Sequence, residues 1–496
     1  MSTKCFCCIA ACSLLALVSG CVVGPDFHRP QAPAAAGYTA QPLTATASSP
    51  DVAGGEEQRF VKDMDIPRKW WALFESPPLN GLIERSIKAN PTIDAAKAAL
   101  RLARENVAVQ RSFFYPTVQA NGSASPQKDP IETLAPALSS GASYFTLYTA
   151  QLTVSYMPDV FGLNRRQVES LTAQAEFQLF QLEAAYLTLS SNVVAAAVQE
   201  ASLRAQIAAT HSSIEIAGKL LDIQRRHLAL GYATGLDVAA QEAALAQVQA
   251  TLPPLEKQLA LTRDLLAALA GRFPGEEMEE KFDLDALSLP QELPVSLPSK
   301  LVEQRPDVRA AEAQWHSASA QVGVAVANRL PQINITGSMG GTSTQIANLF
   351  VPGATFYNIT GSLTQTIFDA GALLHKNRAA QAAMDQAAAQ YRSTVINAFQ
   401  NVADTLHALQ SDADALKAAV AAERAARRTL DITRRQLELG SVNYLAALAA
   451  EQAWRQALIN LVQARANRFS DSTALFMALG GGWWNPAGAP AAQPTS

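Results

Sequence analysis

Five cysteines are the first residues with chemistry to offer, and all lie at the start of the chain: Cys5, Cys7, Cys8, Cys12 and Cys21. Residues 1–20 carry one early charge, Lys4, followed by an apolar run and then small residues, the pattern of a secretory signal peptide. The run is too short to cross a bilayer as a helix. It ends in Val18-Ser19-Gly20-Cys21, the aliphatic, small, glycine and cysteine order of a bacterial lipobox. There the thiol takes a diacylglycerol before cleavage, and the new N-terminal amine takes an N-acyl chain. Cys21 thus becomes the acylated first residue, and no thiol remains for a disulfide, a metal or a nucleophile. Each buried methylene contributes about 0.8 kcal/mol, so several chains anchor stably in lipid. Aspartate after the cysteine commonly signals inner-membrane retention. Val22 stands there instead, which implies export to the outer membrane and its lipid.

The remaining reactive types do not assemble. His28, His211, His227, His316, His375 and His407 are scattered without metal-ligand spacing. There is no glycine-rich phosphate loop and no visible acid/base pair, so no enzyme, metal site or non-covalent cofactor is expected. A net charge of −4 without a basic tail argues against nucleic acid. Glu169, Glu176 and Glu183 recur every seven residues and Ser190-Ser191-Asn192 continue a polar register. They describe either a solvated coiled-coil face or a conduit lining. Asp222 with Arg226, and Asp431 with Arg435, have the i,i+4 spacing of simple helix-surface ion pairs.

The elements that would carry these residues centre on Tyr148–Gly231. Tyr148, Ala150, Leu152, Val154 and Tyr156 alternate with Thr149, Gln151, Thr153 and Ser155, which predicts a strand over about 148–157. Pro158, Asp159 and Gly162 break it. From about 163 to 230 there is no proline and one glycine, Gly218, which predicts a single helix on the order of 100 Å long.

The rest of the chain is taken in order. Residues 21–66, rich in Pro, Ala, Thr and Ser, read as a lipidated extended tether lying on something else or partly disordered. Residues 67–270 form a first repeat. Trp70, Trp71, Phe74 and Leu79 dock a short helix over about 79–89, and Pro91 opens another to about Phe113. A strand runs over about 116–125, and a loop with Pro126, Pro130, Pro136 and Gly141 leads to the strand and long helix above. After Gly231 and Gly235 a return helix covers about 237–270, with Pro253 and Pro254 expected to kink or split it. Residues 271–305 form a Pro-rich, acidic connector. The pattern then recurs over 306–480: a helix over about 306–328, strands over about 331–340 and 357–367, a long helix over about 373–439 and a return helix over about 444–479. Asp369 and Gly371 stand where Asp159 and Gly162 stood. Residues 481–496 are a soft tail.

The duplication is written in the residues. Pro91, Pro116 and Gly122 recur as Pro306, Pro331 and Gly337, each 215 positions on. Leu221–Gly231 and Leu430–Gly440 differ at only three of eleven positions, too close for chance. Four amphipathic strands of about ten residues suit a tilted bilayer crossing. In lipid every backbone polar group must be paired, so the sheet has to close, and four strands cannot. Strands must be pooled among identical copies: two copies give eight strands with a filled interior, three give twelve, which can leave a lumen.

Cys21-Val22-Val23-Gly24-Pro25-Asp26-Phe27-His28-Arg29-Pro30, Trp70-Trp71 with Phe74, the paired strand–helix repeats and the closing Ala478-Leu479-Gly480-Gly481-Gly482-Trp483 carry a resemblance. Over nearly the whole mature chain the sequence resembles the TolC-type outer-membrane channels, in the lipoprotein branch of nodulation-type and OprM-like efflux factors. The resemblance implies a mixed fold: a transmembrane β-barrel and a long α-helical barrel, closed as a homotrimer with four strands per protomer and twelve in all. It implies an equatorial belt from 271–305 and the tail. The implied partners are a periplasmic adaptor and an inner-membrane pump, commonly of the proton-driven resistance–nodulation–division class. The implied work is passive passage of small molecules to the exterior. By position in the family, Asp222, Arg225, Arg226, Asp431, Arg434 and Arg435 are candidates for a charged periplasmic aperture, although related channels often carry acidic residues at the place of Arg434. The turns at Gly231, Gly235 and Gly440 are candidate adaptor-docking tips.

Other readings are metal-ion efflux, type I polypeptide secretion, a structural periplasm-spanning lipoprotein and a cell-wall enzyme. The structural lipoprotein has no need of four alternating strands, and the enzyme needs an acid/base pair in a cleft.

Overall fold

The computed structural model describes residues 22–33, 37–128, 143–276 and 278–485. Residues 1–21, where the signal peptide and the lipidated Cys21 are expected, most of the first interstrand loop and residues 486–496 lie outside that description.

The first ordered strand is β1 (Arg59–Lys62), and a 3-10 turn follows at Trp70–Phe74. Then come α1 (Pro77–Ala89) and α2 (Pro91–Ser112), each opened by proline, whose missing N–H costs nothing in a first turn. Strands β2 (Thr117–Lys128) and β3 (Tyr144–Tyr156) lead into α3 (Leu163–Ala229), and α4 (Gly235–Leu269) returns. The connector holds β4 (Glu292–Val295) and α5 (Pro298–Gln304). The second repeat is α6 (Pro306–Ala327), β5 (Gln332–Ser343), β6 (Thr355–Thr364), α7 (Ala372–Glu438) and α8 (Tyr444–Ala478). Both long helices have 67 residues and both return helices 35.

The expected split in the first return helix does not occur: α4 is continuous through Pro253 and Pro254. Both prolines are exposed, so the carbonyls that lose their donors can turn to water. β2, β3 and β5 run further than the alternation predicts, whereas β6 stops at Thr364, short of the expected 367. Pro126 belongs to β2 opposite Thr146, and an edge strand tolerates it because a missing donor there breaks no ladder.

The chain divides into two compact units, and each contains parts of both repeats. One holds the N-terminal segment to Arg29, Ala99–Gln178 and Ala311–Tyr391. Its sheet is antiparallel in the order β2-β3-β5-β6. The register aligns Val118, Val154, Gly337 and Ile359 in one row and Ala120, Leu152, Met339 and Tyr357 in another of the same face. The intervening row is Gln119, Thr153, Ser338 and Asn358. The sheet is therefore apolar on one side and polar on the other.

The second unit holds Pro30–Ala98, Leu179–Ala310 and the chain from Arg392. Its core is built on aromatic and small residues. Trp70 stacks on Phe476 at 5.3 Å and Phe74 meets Phe469 at 6.3 Å. Val193, Ala197 and Ala201 on α3, and Ala398, Val402 and Leu409 on α7, are buried. The tether is not loose here. β1 pairs in parallel with β4 of the connector, from Arg59 opposite Glu292 to Lys62 opposite Val295. Arg468 is fully buried and donates to Gln58 Oε1 at 2.8 Å, Thr46 Oγ1 at 3.2 Å and the Glu56 carbonyl at 3.1 Å.

Candidate functional site

Three features could serve a conduit: the sheet, the corners where strands become helices, and the two helical hairpins.

The sheet exposes its apolar face. Val118, Leu152, Met339, Tyr357 and Ile359 all lie on the surface, Tyr357 at 83%. The outer edges of β2 and β6 find no strand partner among the described residues. An apolar sheet with two open ladders cannot be stable in lipid as it stands.

The corners are built alike. Asp159 accepts from the amides of Asn164 at 2.8 Å and Arg165 at 2.9 Å, and the Arg165 guanidinium returns to the same carboxylate at 3.2 Å. Asp369 accepts from Gly371 N at 2.9 Å and Leu373 N at 2.7 Å. Each carboxylate thereby satisfies orphan donors at the positive end of a 67-residue helix. The Leu373 amide above all, with those of Gly371 and Ala372, holds the Asp369 carboxyl below its ordinary range. Pro158 supplies the carbonyl that accepts from Val160 N at 3.0 Å. Gly162 and Gly371 both have positive φ, and a side chain at Gly162 would strike Val22.

That contact shows where the chain goes after Cys21. Val23 N donates to Phe161 O at 3.3 Å. The Arg166 guanidinium, almost fully buried, binds the Val23 carbonyl at 3.0 Å, Asp26 at 2.7 Å and Glu169 at 2.8 Å. Phe27 stacks on His316 at 4.4 Å, and His316 lies 3.0 Å from Glu169. Glu169 is thus tied to α6 and the N-terminal segment. Glu176, in the same unit, is exposed, and in the other unit Glu183 faces Arg68 at 3.6 Å. The seven-residue spacing does not give the three glutamates one role.

The hairpins turn by identical hydrogen bonds. Tyr232 N reaches His227 O and Ser441 N reaches Gln436 O, both at 2.8 Å. Gly231 and Gly440 donate to Leu228 O and Leu437 O, both at 3.0 Å, with φ of +79° and +70°. These are helix-ending motifs that need a left-handed residue, which glycine adopts without a Cβ penalty. Gly235 is not an interruption: it is the first residue of α4, capped by Thr234, whose hydroxyl and Asp237 form a capping box. Asn443 caps α8, accepting from Ala446 N at 3.1 Å. Leu230, Tyr232 and Leu236 at the first turn, and Leu439 and Leu445 at the second, are exposed.

The six charged candidates separate. Arg225 crosses from α3 to α4 and pairs with Glu242 at 2.8 Å. Arg226 donates to the Asp222 carbonyl at 3.2 Å, not to its carboxylate. No ion pair joins Asp431 to Arg435 or Asp222 to Arg226 among the described residues. Arg434 is half-buried, with Nη2 unpartnered. Glu242 and Glu451, one acidic residue on each return helix at the same position, are missing from the sequence-based candidates. The 209-residue repeat spacing that relates Arg225 to Arg434 also relates them, and could have found them. No group of three or more potential metal ligands occurs among the described residues.

A four-stranded antiparallel sheet and two long helical hairpins within one chain are features of outer-membrane channels. The chain superposes on the outer-membrane channel OprN with a TM-score of 0.83 and 26% identity, over 94% of this chain and 100% of that one. The outer membrane efflux protein family model matches residues 82–272 and 297–481, and the chain belongs to that family. The toluene efflux pump outer membrane protein TtgC of Pseudomonas putida is 28% identical over 478 residues, 95% of each chain. The pyoverdine export outer membrane protein OpmQ of Pseudomonas aeruginosa is also 28% identical, over 460 residues, 90% of this chain and 94% of that protein. The chain is an outer-membrane component of efflux, and its family is one of transport.

Proposed function

We propose that three copies of this chain close one twelve-stranded barrel, and that the resulting duct passes small molecules from an inner-membrane pump and a periplasmic adaptor to the exterior. The observation that carries this reading is the open four-stranded sheet with an exposed apolar face. Joining β6 of one copy to β2 of the next satisfies both edges and turns the apolar rows to lipid. Three copies supply a barrel wide enough for a lumen. The helical hairpins then form the periplasmic conduit, with the turns at Gly231 and Gly440 as adaptor-docking tips. Their exposed leucines and Tyr232 offer an adaptor an apolar contact.

Acylation of Cys21 fits the N-terminal course. Val22 packs on Gly162 at the corner where β3 gives way to α3, so an acyl group on the preceding residue would sit near the membrane boundary. The pump, of resistance–nodulation–division class, supplies the energy and chooses the cargo. In support, relatives named for toluene and for pyoverdine are equally similar to this chain.

Native mass and planar-bilayer conductance of detergent-purified protein test the proposal. A trimer with single-channel steps is expected. A stable, non-conducting monomer would overturn it.

A further inference from the structure

The two hairpins carry the same pair of residues at the same depth and use it differently. Arg225 on α3 and Glu242, the eighth residue of α4, recur as Arg434 on α7 and Glu451, the eighth residue of α8. In the first hairpin the pair is closed at 2.8 Å, with both side chains about half exposed. In the second, Glu451 is 4% exposed and its Oε2 has no hydrogen-bond partner. Arg434 remains outside ion-pair distance with Nη2 also unpartnered, and the buried Tyr444 hydroxyl lacks a partner too.

A desolvated, unpaired carboxylate is a costly state, whereas a protonated carboxyl is tolerated in the same place. The charges acting on Glu451 are Arg434 from α7 and Arg455 on α8, and both favour ionisation. Burial outweighs them and raises the carboxyl to about 7, and the same burial pushes the neighbouring Tyr444 hydroxyl well up. We propose that Glu451 is a proton-operated latch on the second hairpin. Protonated, it lets α7 and α8 pack as observed. Ionised, it loosens that packing and draws in Arg434 to make the pair that Arg225 and Glu242 already make. Because a raised carboxyl favours the protonated fold, the packing is held in acid and lost as pH rises through neutrality. The consequence for conductance rests on the proposed channel; the latch itself does not.

Hydrogen–deuterium exchange on the full-length protein, corrected for intrinsic rates between about pH 5.5 and 8.5, tests it, since local opening sets the exchange rate. Residues 221–243 serve as the internal reference for residues 430–452. Protection of the second hairpin relative to the first falls by about tenfold as pH rises, the factor for one unit of pKa. Glu451→Gln keeps it high throughout, and Glu242→Gln leaves the wild-type response in place. A flat wild-type profile, a Glu451→Gln profile that still falls, or loss of the response in Glu242→Gln would overturn the latch. Should Glu451→Gln fail to assemble, Arg434→Gln carries the test. Removing the cation moves the midpoint to higher pH, and an unmoved midpoint overturns the proposal. Absence of conductance at every pH, with the exchange response intact, would count against the channel and in favour of the latch.

Discussion

Asp159 and Asp369 sit ahead of the two longest helices and accept amides that would otherwise have no partner. Because those amides depress the Asp369 carboxyl, its contribution is present above the ordinary carboxylate range and is lost as pH falls through the lowered value. Asp369→Ala therefore lowers the thermal midpoint at neutral pH, and the deficit narrows in acid. An equal deficit at both pH values would contradict the helix-end role. Asp471 has the opposite sign. Burial first, then the hydrogen bond and charge of Asp412, push its carboxyl up, so the stability it confers is lost as pH rises through that raised value. Asp471→Asn flattens the alkaline arm of a stability–pH profile; a profile like the wild type would refute this. Arg468, in the same core, pins the tether through Gln58 and Thr46. Arg468→Ala removes the donor to Gln58 Oε1, leaves that buried acceptor unpaired and costs about 1–3 kcal/mol. Limited proteolysis reads the result as faster cleavage within residues 44–62. The corner aspartates were legible in the sequence as turn residues between strand and helix, while their role as amide acceptors came from the structure. The Arg468 cluster was not legible, since its members come from segments more than 400 positions apart.

At the scale of elements, the two faces of the sheet make separate predictions. An arginine at Ile359 or Leu152, in the apolar rows, destabilises folding into lipid vesicles by about 2–4 kcal/mol if the row faces the bilayer midplane. Asn358→Arg, in the polar row between, costs far less. Equal costs on both faces would remove the membrane assignment. The element boundaries were largely written locally: period-two alternation, proline at helix starts and glycine at turns act through neighbouring residues alone. What escaped were β1 and β4, because a four-residue strand has no readable period and exists only through its partner, and α5, whose seven residues are too few to show a helical period. The continuity of α4 through two prolines escaped for a related reason. Exposure decides whether a broken ladder is tolerated, and exposure is not a local property.

For the molecule as a whole, the hairpin charges offer a test of the proposed duct. If Arg434 and Arg435 help hold the periplasmic entrance closed, replacing both by Ser raises single-channel conductance, and unchanged conductance removes them from that role. By itself the sequence determined the duplication, the four long strands and the long and return helices, and it set the expectation that copies share a barrel, because period, composition and bilayer thickness are set residue by residue. Only the tertiary structure decided which charges meet. Arg225 finds Glu242 while its repeat counterpart Arg434 does not reach Glu451, although the sequence writes both pairs with the same spacing. Burial separates them, and burial depends on what the rest of the chain packs against each hairpin.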